Sequence, residues 1–598
     1  MEDDRELRRI SAAQMHFSAY LEWVNLSCST IANSKVPAKE LLCRSTGAVK
    51  SGEFLAVMGP SGAGKTTLLN FISGKNQPLL VRTSGEILLN KIPIEDLFYK
   101  AMIGFVPQQD IILECLTPRE ALRFAAIFTV NKSPDIIEQL VDQALDELKL
   151  VGCADRVIGG GATKSISGSE RKRVSIGTEL IFNPSVLFLD EPTTGLDSYT
   201  ALKLVELLNY LAKKKARCII ATIHQPSSQI FCNFDKLLLL NHGKTVYMGE
   251  AKGAVDYFGE IGHPLPLNYN PADHFLKVLS THEINPRSSF SPVKMGATKQ
   301  SFHTEIDGDR VEVDFDEPKP HFIAGSWFAF FKLCYRAHLN NKRNPMILKV
   351  KLLKLLISSS MCCTLFWSLP DIHSITDSDS VKNFRMRCAA VFIISATFLA
   401  EALLSTIATF QEQKYVFFRE YGEARYGILP YYLSYSIMIF PIEFLWNLLL
   451  TVIVYWAVGL NNHAANFFRM VLLGVLMAMN GTGFGLFCSI VAPNLELASV
   501  IAPVFFIMFN LTSGFLVTNN KIPDWFFIKY ISTLRYGFEA AVHNEFDNTD
   551  SNKFTTDYLI DELHLPDSMT DAFIYIGILF IAVRVLCYFV LWFKVRKL

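Results

Sequence analysis

The sequence has no surplus of charge of either sign and no long apolar run in its first 20 residues. Lysine plus arginine and aspartate plus glutamate each number 57, so the formal net charge is zero. A zero balance gives no reason to expect nucleic acid or a strongly acidic partner. The first 20 residues contain no apolar h-region, so we expect no secretory signal there and a cytosolic N-terminus.

Closely spaced groups of cysteine are also missing. The 12 cysteines are scattered along the chain. Structural zinc needs four ligands at short, regular spacings, and no quartet of this kind is found. We therefore expect reduced, packed thiols and no zinc site.

What the sequence does have is length and apolar content. The chain has 598 residues, 50% of them hydrophobic, with 46 Phe and only 19% charged residues. Single hydrophobic cores stop growing at roughly 250 to 300 residues, so at least two domains are expected. The apolar excess lies in the C-terminal half. We predict a cytosolic domain over 1–285, a linker over 286–324, a connecting helix over 325–344 and a transmembrane domain over 345–598.

The first region reads as an α/β domain. Short apolar runs at 52–59 and 185–191 alternate with helical patterns, which is typical of a parallel sheet covered on both faces. The linker is rich in Pro, Ser, Lys and Asp and cannot bury enough apolar surface to fold alone. Aromatic and basic residues then interleave at helical spacing over 325–344. This pattern predicts either an amphipathic helix along a membrane surface or an ordinary packed helix.

Apolar runs long enough to cross a bilayer as helices occur six times in the second half, since a crossing takes about 20 residues. They cover Met346–Trp367, Cys388–Phe410, Tyr431–Leu460, Phe467–Ala492, Glu496–Val517 and Ala572–Phe593. The third run is long enough to tilt or kink and contains Pro441. We therefore predict six transmembrane helices.

Basic residues flank the first and last of these runs. Arg336, Lys342 and Arg343 precede the first run, and Lys594, Arg596 and Lys597 follow the last. Basic flanks favour the cytosolic side, so both termini are expected there. The stretch 518–571 would then be the main external segment. It has no cysteine and no glycosylation sequon, so neither a disulfide nor a glycan is expected on it.

A phosphate-binding loop follows the first predicted strand and opens a helix, as its mechanism requires. Its glycines let backbone N–H groups surround phosphates, Lys65 adds positive charge and the Thr66 hydroxyl ligates magnesium. The residues predicted to contact nucleotide here are Gly59, Pro60, Ser61, Gly62, Ala63, Gly64, Lys65, Thr66 and Thr67.

A second set of polar residues follows in a fixed order. Asp190 and Glu191 end an apolar strand, where the first carboxylate is expected to hold magnesium through water and the second to polarise the attacking water. Such a pair alone means little. Its companions make it specific, namely Gln108, the run Ser167-Gly168-Ser169, Asp197 and His224.

This succession resembles the nucleotide-binding domain of ABC transporters over about residues 20–285. The resemblance implies an α/β phosphate-loop ATPase using ATP and Mg²⁺, followed by an α-helical transmembrane domain. It implies that Gln108 links the metal site to the membrane domain and that His224 contacts the γ-phosphate. The run at 167–169 would form the signature loop and Asp197 would lie in the D-loop. Outside this context Gln108 and His224 would be ordinary surface residues.

The order of the two regions and several further motifs make the resemblance more specific. The ATPase precedes the membrane region, and the runs IHQPSS, NPADHF, FFREYG, SGFLV and RYGFEA resemble the G subfamily, which includes the White-type eye-pigment transporters. The resemblance then covers nearly the whole chain. It implies a half-transporter that works as a dimer, because the signature loop completes the site on a second ATPase domain.

Two departures from the family pattern affect this prediction. Ser169 stands where the signature has its second glycine, and its side chain could impair hydrolysis at the completed site. No adenine-stacking aromatic is found near 28–33, and Trp23 is expected to lie in the preceding strand. The first departure favours a heterodimer whose partner supplies a better signature loop, with a homodimer as the alternative.

Candidate substrate residues are fewer. Glu401 falls within the second predicted span, where a carboxylate is costly. It would contact a polar or cationic substrate group, or else a structural partner such as Arg584 or a neighbouring hydroxyl. By the resemblance, the central cavity and its plug would be lined by Phe506, Phe509, Asn510, Phe515 and Leu516.

The sequence thus predicts an ATP-driven pump for small aromatic or amphipathic molecules, such as pigment precursors, purines, pteridines, lipids or sterols. These molecules would move away from the cytosol, across the plasma membrane or a vesicle or granule membrane. The rival prediction is a regulatory, weakly catalytic subunit of a heterodimer.

Overall fold

A computed structural model describes residues 18–30, 39–75, 81–94, 102–130, 133–159, 165–281, 324–369, 378–517, 521–523, 525–546 and 568–596. The chain divides into two compact units, Met1–His321 and Phe322–Leu598. Nearly all of the predicted linker lies outside the described residues. The two units are taken separately below.

The first unit is built on a ten-stranded mixed sheet with the strand order β5-β4-β1-β2-β10-β9-β3-β8-β7-β6. The strands are β1 (Tyr20–Thr30), β2 (Glu40–Lys50), β3 (Phe54–Met58), β4 (Val81–Leu89), β5 (Ile92–Pro93), β6 (Ile103–Val106), β7 (Val186–Leu189), β8 (Cys218–Thr222), β9 (Lys236–Asn241) and β10 (Lys244–Glu250). The predicted runs at 52–59 and 185–191 contain β3 and β7.

The predicted parallel sheet accounts for only half of the observed one. Strands β9, β3, β8, β7 and β6 run parallel, and every residue of β3, β7 and β8 is buried. At the other end, β1, β2, β4 and β5 pair antiparallel. These outer strands alternate buried and exposed residues, so their apolar pattern was too weak to be recognised in the sequence.

Helices cover this sheet, and polar side chains cap several of their first turns. They are α1 (Lys65–Ile72), α2 (Pro118–Thr129), α3 (Pro134–Glu147), α4 (Gly168–Leu180), α5 (Ser198–Lys214), α6 (Ser228–Phe231), α7 (Gly253–Glu260) and α8 (Pro271–Thr281). Thr117 and Ser167 each form a capping box with a glutamate three residues later. Such caps fix where a helix begins.

In the second unit, the secondary-structure elements among the described residues are all helices. Its helices are α9 (Ser326–Arg343), α10 (Pro345–Leu365), α11 (Ser378–Gly422), α12 (Ile428–Val458), α13 (Ala464–Val491), α14 (Leu495–Leu511), α15 (Ile528–Ile531), α16 (Thr533–Phe546) and α17 (Met569–Arg596). Each of the six predicted spans coincides with one of these helices.

Four helices among the described residues are long and apolar enough to cross a membrane. They cover Lys382–Gly422, Ile428–Val458, Ala464–Val491 and Met569–Arg596. The helices of the other two predicted spans are not among these four. Helix α10 carries three lysines in its first half, and α14 has only 17 residues. Helix α11 extends for 45 residues, well beyond the predicted span, because an α-helix continues into polar flanks until a residue such as Gly422 ends it.

Two glycines bring α11 and α13 into close contact. A Cβ atom built on Gly481 would lie 2.5 Å from the Leu399 carbonyl oxygen, and one on Gly485 would lie 2.5 Å from the Leu403 carbonyl oxygen. Small residues four positions apart let membrane helices approach to backbone contact. The four-residue spacing of these glycines is visible in the sequence, but the helix contact was not predicted from it.

The stretch predicted as the main external segment contains a buried helix. Twelve of the 14 residues of α16 are buried, and α16 packs against α11, α13 and α17. Asn466 and Asn544 each donate a side-chain N–H to the other's carbonyl oxygen at 2.9 Å. Residues 533–546 therefore form a buried helix within the predicted external segment, because tertiary contacts bury this moderately polar stretch, and the external position of the segment stays a prediction.

Helix α9 joins both of the properties predicted as alternatives for 325–344. One face, with Leu333 and Arg336, is buried and packs on α12. The other face exposes 73% of Trp327 and 66% of Phe331. The helix is therefore amphipathic and also packed within its unit.

Candidate active site

The phosphate loop lies between β3 and α1 and is pressed against neighbouring backbone. A Cβ atom on Gly59 would lie 2.2 Å from the Leu240 carbonyl oxygen. Gly64 has a φ of +99°, and a Cβ atom there would lie 2.9 Å from the Leu41 carbonyl oxygen. Only glycine fits both positions. The loop therefore places tightly packed glycine backbone directly before the start of α1, and the N–H groups at a helix start suit an anion.

Lys65 is held over this loop. Its side chain is buried, and Nζ donates to the carbonyl oxygens of Gly59 at 2.9 Å and Pro60 at 3.0 Å. Burial lowers the pKa of Lys65, while the nearby Glu191 and Asp190 carboxylates act to raise it. A buried ammonium with only neutral direct acceptors fits a site for a polyphosphate, whose oxygens are stronger partners.

Asp190 and Thr66 meet, as the prediction of a shared metal site requires. Asp190 follows β7 and is buried, and its Oδ1 accepts hydrogen bonds from Thr222 at 2.7 Å and Thr66 at 3.2 Å. Burial raises the pKa of Asp190, whereas the two hydroxyls act to lower it and Glu191 acts to raise it. A carboxylate beside a hydroxyl is an oxygen ligand set that suits Mg²⁺.

Glu191 and Gln108 also meet. The Glu191 Oε2 atom accepts hydrogen bonds from Gln108 Nε2 at 2.8 Å and from the Thr194 hydroxyl at 3.0 Å. Its backbone N–H donates to the Thr222 hydroxyl at 2.7 Å. Glu191 has a φ of 43°, an unfavourable conformation for a residue with a side chain, and such strain occurs often at functional sites.

Lys172 and Thr222 contribute to this site but were missed in the sequence. The buried Lys172 ammonium donates to the Gln108 carbonyl oxygen at 2.8 Å and pairs with Asp110 at 2.8 Å. Helix α4 thereby fixes the backbone beside the Gln108 side chain. The basic run at 171–173 and the polar end of the apolar strand β8 were the available signals, but neither indicates where a side chain points.

The signature residues begin α4. Ser167 caps the helix, and its hydroxyl donates to Glu170 Oε2 at 2.8 Å. Burial acts to raise the pKa of Glu170, but the hydrogen bonds from Ser167 and Cys153 and the charge of Arg173 together lower this pKa. A Cβ atom on Gly168 would meet no atom within 4 Å. The Ser169 hydroxyl lies 3.2 Å from that of Ser167, so the two side chains engage each other.

Asp197 and His224 both lie at helix or strand ends. Asp197 caps α5 by accepting from the Thr200 N–H at 3.0 Å, and hydrogen bonds from Thr200 lower the pKa of Asp197. His224 is exposed and follows β8. Because β8 pairs parallel with β7, His224 lies at the same sheet edge as Glu191.

The predicted residues thus form two separate groups. None of the described hydrogen bonds or ion pairs joins 167–169 or Asp197 to the phosphate loop, Asp190 or Glu191. The chain therefore holds one phosphate-and-carboxylate cluster and, apart from it, the signature loop.

The aromatic residue that was predicted to lie in a strand does so. Trp23 lies in β1, is wholly buried and donates from Nε1 to the Ser45 hydroxyl at 3.3 Å. It therefore belongs to the core of the unit and cannot stack on an adenine.

In the membrane unit, Glu401 lies on α11 near Lys354 and interacts with the Ser358 hydroxyl. Arg584, one of its predicted partners, instead donates to the hydroxyls of Thr482 and Ser436. Of the two structural partners predicted for Glu401, the neighbouring hydroxyl is the one observed, in Ser358 of α10, and no described hydrogen bond or ion pair joins Glu401 to Arg584.

The residues predicted to line the central cavity are placed differently from one another. Phe509 is wholly buried, with its ring 4.8 Å from that of Phe484, so it packs inside its own unit and lines no cavity surface. Phe506 and Asn510 are half-buried. Phe515 stacks on Phe392 at 4.7 Å, whereas 55% of Leu516 is exposed.

Family models match both units. The ABC transporter model matches residues 43–194, and two ABC-2 type transporter models match residues 329–546 and 224–295. A solved dimer of the ATP-binding cassette MJ0796 with ADP and Pi aligns at 25% identity with a TM-score of 0.34, covering 39% of this chain and 98% of that one.

Curated relatives match most of the chain. Protein white of Drosophila melanogaster is 31% identical, with 90% of this chain and 80% of the relative covered. ABC transporter G family member 1 of Dictyostelium discoideum is 31% identical, with 86% and 76% covered. ABC transporter G family member 6 of Arabidopsis thaliana is 30% identical, with 85% and 72% covered.

The phosphate loop, its carboxylates and the apolar helices define an ABC transporter, a multi-pass integral membrane protein whose ATPase domain binds nucleotide. Its ATP hydrolysis is coupled to transmembrane movement of substances. The extent of the likeness to white and to the G family members is specific enough to go further. The chain belongs to the G family of ABC transporters.

Proposed function

We propose that this chain is one half of a pump that moves small aromatic or amphipathic molecules away from the cytosol. Pigment precursors, purines, pteridines and lipids including sterols are the substrate classes that we propose. The observation that carries the proposal is the contact of Gln108 with Glu191 beside the Asp190–Thr66 contact. These two contacts bring the proposed hydrolytic residues together in a chain that also has apolar helices of membrane length.

The proposed roles follow from the chemistry of each side chain. Glu191 accepts a proton from the attacking water, and Gln108 orients that water and the carboxylate that it contacts. Lys65 and the loop N–H groups bind the phosphates, and His224 donates to the γ-phosphate from the neighbouring strand end.

Thr66 and Asp190 are the residues that we propose to hold Mg²⁺, with Gln108 nearby. Bound Mg²⁺ neutralises charge on the β and γ phosphates. The buried carboxylate, already accepting from two hydroxyls, supports this assignment. The hydrogen bonds from the two hydroxyls favour the carboxylate form of Asp190 and so oppose the effect of its burial on the pKa.

A dimer is proposed because the signature residues lie apart from the phosphate loop of their own chain. In a dimer, the 167–169 loop of each half would complete the site of the other. We favour a heterodimer over a homodimer. The contact between the Ser169 and Ser167 hydroxyls supports this choice, since it occupies groups that would otherwise face a partner's phosphates.

The same contact supports a second candidate function. If Ser169 prevents productive contact with a partner's γ-phosphate, the chain is a regulatory, weakly catalytic subunit that binds ATP and mainly completes another half. The intact Gln108–Glu191 contact in this chain favours the pump.

The membrane orientation is also a proposal. Basic residues before α10 and at the end of α17 support cytosolic termini, in either the plasma membrane or a vesicle or granule membrane.

The decisive measurement is ATP hydrolysis by the purified chain in lipid nanodiscs, alone and with candidate partner halves. Glu191→Gln removes the base, and we expect turnover to fall roughly 10²- to 10⁴-fold while ATP binding remains. The matched control is Glu206→Gln, which changes a surface glutamate paired with Lys203.

Each outcome separates the candidates. Magnesium-dependent turnover by the lone chain indicates a working homodimer, and turnover only with a partner indicates a heterodimer. ATP binding without turnover in every combination indicates the regulatory subunit. Full turnover in Glu191→Gln would contradict the role proposed for this carboxylate.

A further inference from the structure

The turn that carries His224 has an unfavourable backbone conformation. Just before it, the Ile223 N–H donates to the Val57 carbonyl oxygen of β3 at 3.0 Å, as in the sheet. Just after it, Gln225 has a φ of 45°, which is uncommon for a residue with a side chain. Pro226 and Ser227 then lead into α6. A turn of this kind persists when contacts from elsewhere in the fold hold it.

Asn270 supplies such a contact from a distant part of the sequence. Its side-chain Nδ2 donates to the Pro226 carbonyl oxygen at 2.8 Å, across 44 positions of the chain. Pro226 is buried, and a backbone carbonyl in such a place needs a donor from the protein. Asn270 begins the NPADHF run, to which the proposed function assigns no role.

Asn270 is itself fixed in place at the start of α8. Its Oδ1 accepts the Ala272 N–H at 3.3 Å, and its backbone carbonyl oxygen accepts the His274 N–H at 3.0 Å. Its Nδ2 also donates to Asp273 Oδ2 at 3.0 Å. An asparagine in this position caps the first turn of a helix. The side chain therefore has little freedom, and its amide nitrogen stays directed at Pro226.

Helix α8 is packed firmly enough to act as a support. Phe275 of α8 is wholly buried, and its ring lies 6.0 Å from that of Phe231 in α6. Near the other end of the helix, the Leu279 carbonyl oxygen accepts from the Asn241 side chain at 3.0 Å. The helix is therefore anchored in the core of the unit, and a side chain at its start can hold a neighbouring turn.

We propose that Asn270 is a positioning residue of the ATP site, which holds the turn that directs His224 at the γ-phosphate. This inference rests on the role proposed above for His224. None of the described hydrogen bonds joins Asn270 to the phosphate loop, Asp190 or Glu191, so its effect reaches the nucleotide through the turn. Loss of the contact therefore weakens recognition of the γ-phosphate and leaves binding of the other phosphates unchanged.

The test measures the affinity of the detergent-purified full chain for ATP and for ADP with Mg²⁺, because only ATP carries the γ-phosphate. All proteins carry Glu191→Gln, so that ATP stays intact. We expect His224→Ala to lower the ratio of ATP to ADP affinity roughly 10-fold, the effect of one hydrogen bond to a charged group. Asn270→Ser keeps a hydroxyl that caps α8 but is too short to reach Pro226, and we expect a loss of roughly 3- to 10-fold in the same ratio.

The double variant His224→Ala/Asn270→Ser shows whether the two residues act together. If Asn270 acts through His224, the double variant loses no more ATP affinity than His224→Ala alone, whereas independent effects multiply. Asn233→Ser is the matched control, since it removes a donor to the Gln229 carbonyl oxygen just after α6. It is expected to leave both affinities unchanged.

A second variant keeps the test available if Asn270→Ser does not fold. Asn270→Asp preserves the shape of the side chain and caps α8, but it replaces the donor with an acceptor. We expect it to lower the ratio at least as much as Asn270→Ser, because its carboxylate faces the Pro226 carbonyl oxygen. Retained ADP binding shows that the ATPase unit of each variant is folded.

The outcomes separate a failure of this inference from a failure of the proposed function. An unchanged ratio in His224→Ala contradicts the role proposed for His224, and the inference that rests on it then fails as well. A lowered ratio in His224→Ala with an unchanged ratio in a folded variant of Asn270 overturns the positioning role alone. Equal loss of ATP and ADP affinity in that variant, or multiplied losses in the double variant, would show a general structural role and would also overturn it.

Discussion

In the ATPase unit, the buried charges of the phosphate site, Lys65 and Asp190, take part in no described ion pair and have neutral carbonyls and hydroxyls as hydrogen-bond partners. In the membrane unit, Arg336 instead meets Glu420 in two hydrogen bonds of 2.7 and 2.9 Å, and Arg387 pairs with Glu545. The same burial of charge therefore has two different outcomes.

The difference teaches how to separate chemistry from architecture. A buried charge without a counter-ion remains available for a ligand and leaves the fold less stable than it could be. A buried charge with a bidentate partner holds two elements together, and removing one side leaves the other unpaired. Lys354 and Glu401 take part in no described ion pair. By this criterion they resemble Lys65 and Asp190 more than they resemble the pairs Arg336–Glu420 and Arg387–Glu545 of their own unit.

Breaking a paired charge should have the largest effect on stability. Arg336→Ala removes the two hydrogen bonds that the buried Glu420 carboxylate accepts from the guanidinium, between α9 and the end of α11, and we expect a loss of about 3–5 kcal/mol. Thermal unfolding of the purified chain measures this loss. Lys332→Ala on the same helix is the control, since among the described contacts the Lys332 ammonium has only a cation–π contact with Phe328. Equal melting temperatures for the two variants would contradict the stabilising role of the Arg336–Glu420 pair.

Packing without charge should matter next. Gly481→Ala places a Cβ atom against the Leu399 carbonyl of α11, and we expect a loss of about 1–3 kcal/mol. Gly577→Ala in α17 is the matched control, because no atom lies within 4 Å of its added Cβ. Melting temperatures compare the two variants, and similar values would show that the α11–α13 contact is less tight than described.

The uncompensated charge of Asp190 should be visible in the pH dependence of ATP hydrolysis. Burial raises the pKa of Asp190 and hydrogen bonds from Thr222 and Thr66 oppose this, so Thr222→Val is expected to raise this pKa further. The site needs the carboxylate ionised, so activity should then be lost at a higher pH on acidification. The acid limb of kcat/KM measures the shift, with Thr129→Val as control, and an unmoved limb would contradict the assignment.

The smallest expected effect is at Ser169. Ser169→Gly frees the Ser167 hydroxyl from its neighbour, and we expect turnover at the completed site to rise roughly 2- to 10-fold. Ser280→Gly, at the end of α8, is the control. Steady-state hydrolysis by the dimer measures the change, and a decrease would show that the serine assists catalysis.

The phosphate site was largely predictable from the sequence. Gly59 to Thr66 and the Asp190–Glu191 pair are local motifs, and each sits at the end of an apolar strand. Lys172 and Thr222 were not predicted, since their roles arise from contacts with residues 64 and 32 positions away. No local pattern encodes such contacts.

In the membrane unit, the sequence was a weaker guide. Apolar length located the helices, but Phe509 was predicted at a cavity surface and is buried against Phe484. Glu401 was predicted to matter, yet its neighbours Lys354 and Ser358 come from another helix. Helix α16 lies in the stretch predicted as the main external segment, and its burial was not predicted. Hydropathy alone does not reveal that polar residues can satisfy one another's hydrogen bonds.

The sequence by itself determined the chemistry of the ATPase and the presence of membrane helices. Phosphate binding depends on a short run of glycines and one lysine, and membrane insertion depends on apolar length, so both are local properties. Only the tertiary structure decided which charges are paired. Lys351 pairs with Glu443, whereas Lys354, only three positions away, takes part in no described ion pair. Pairing depends on distances between helices, and those distances are set by the packing of the whole unit.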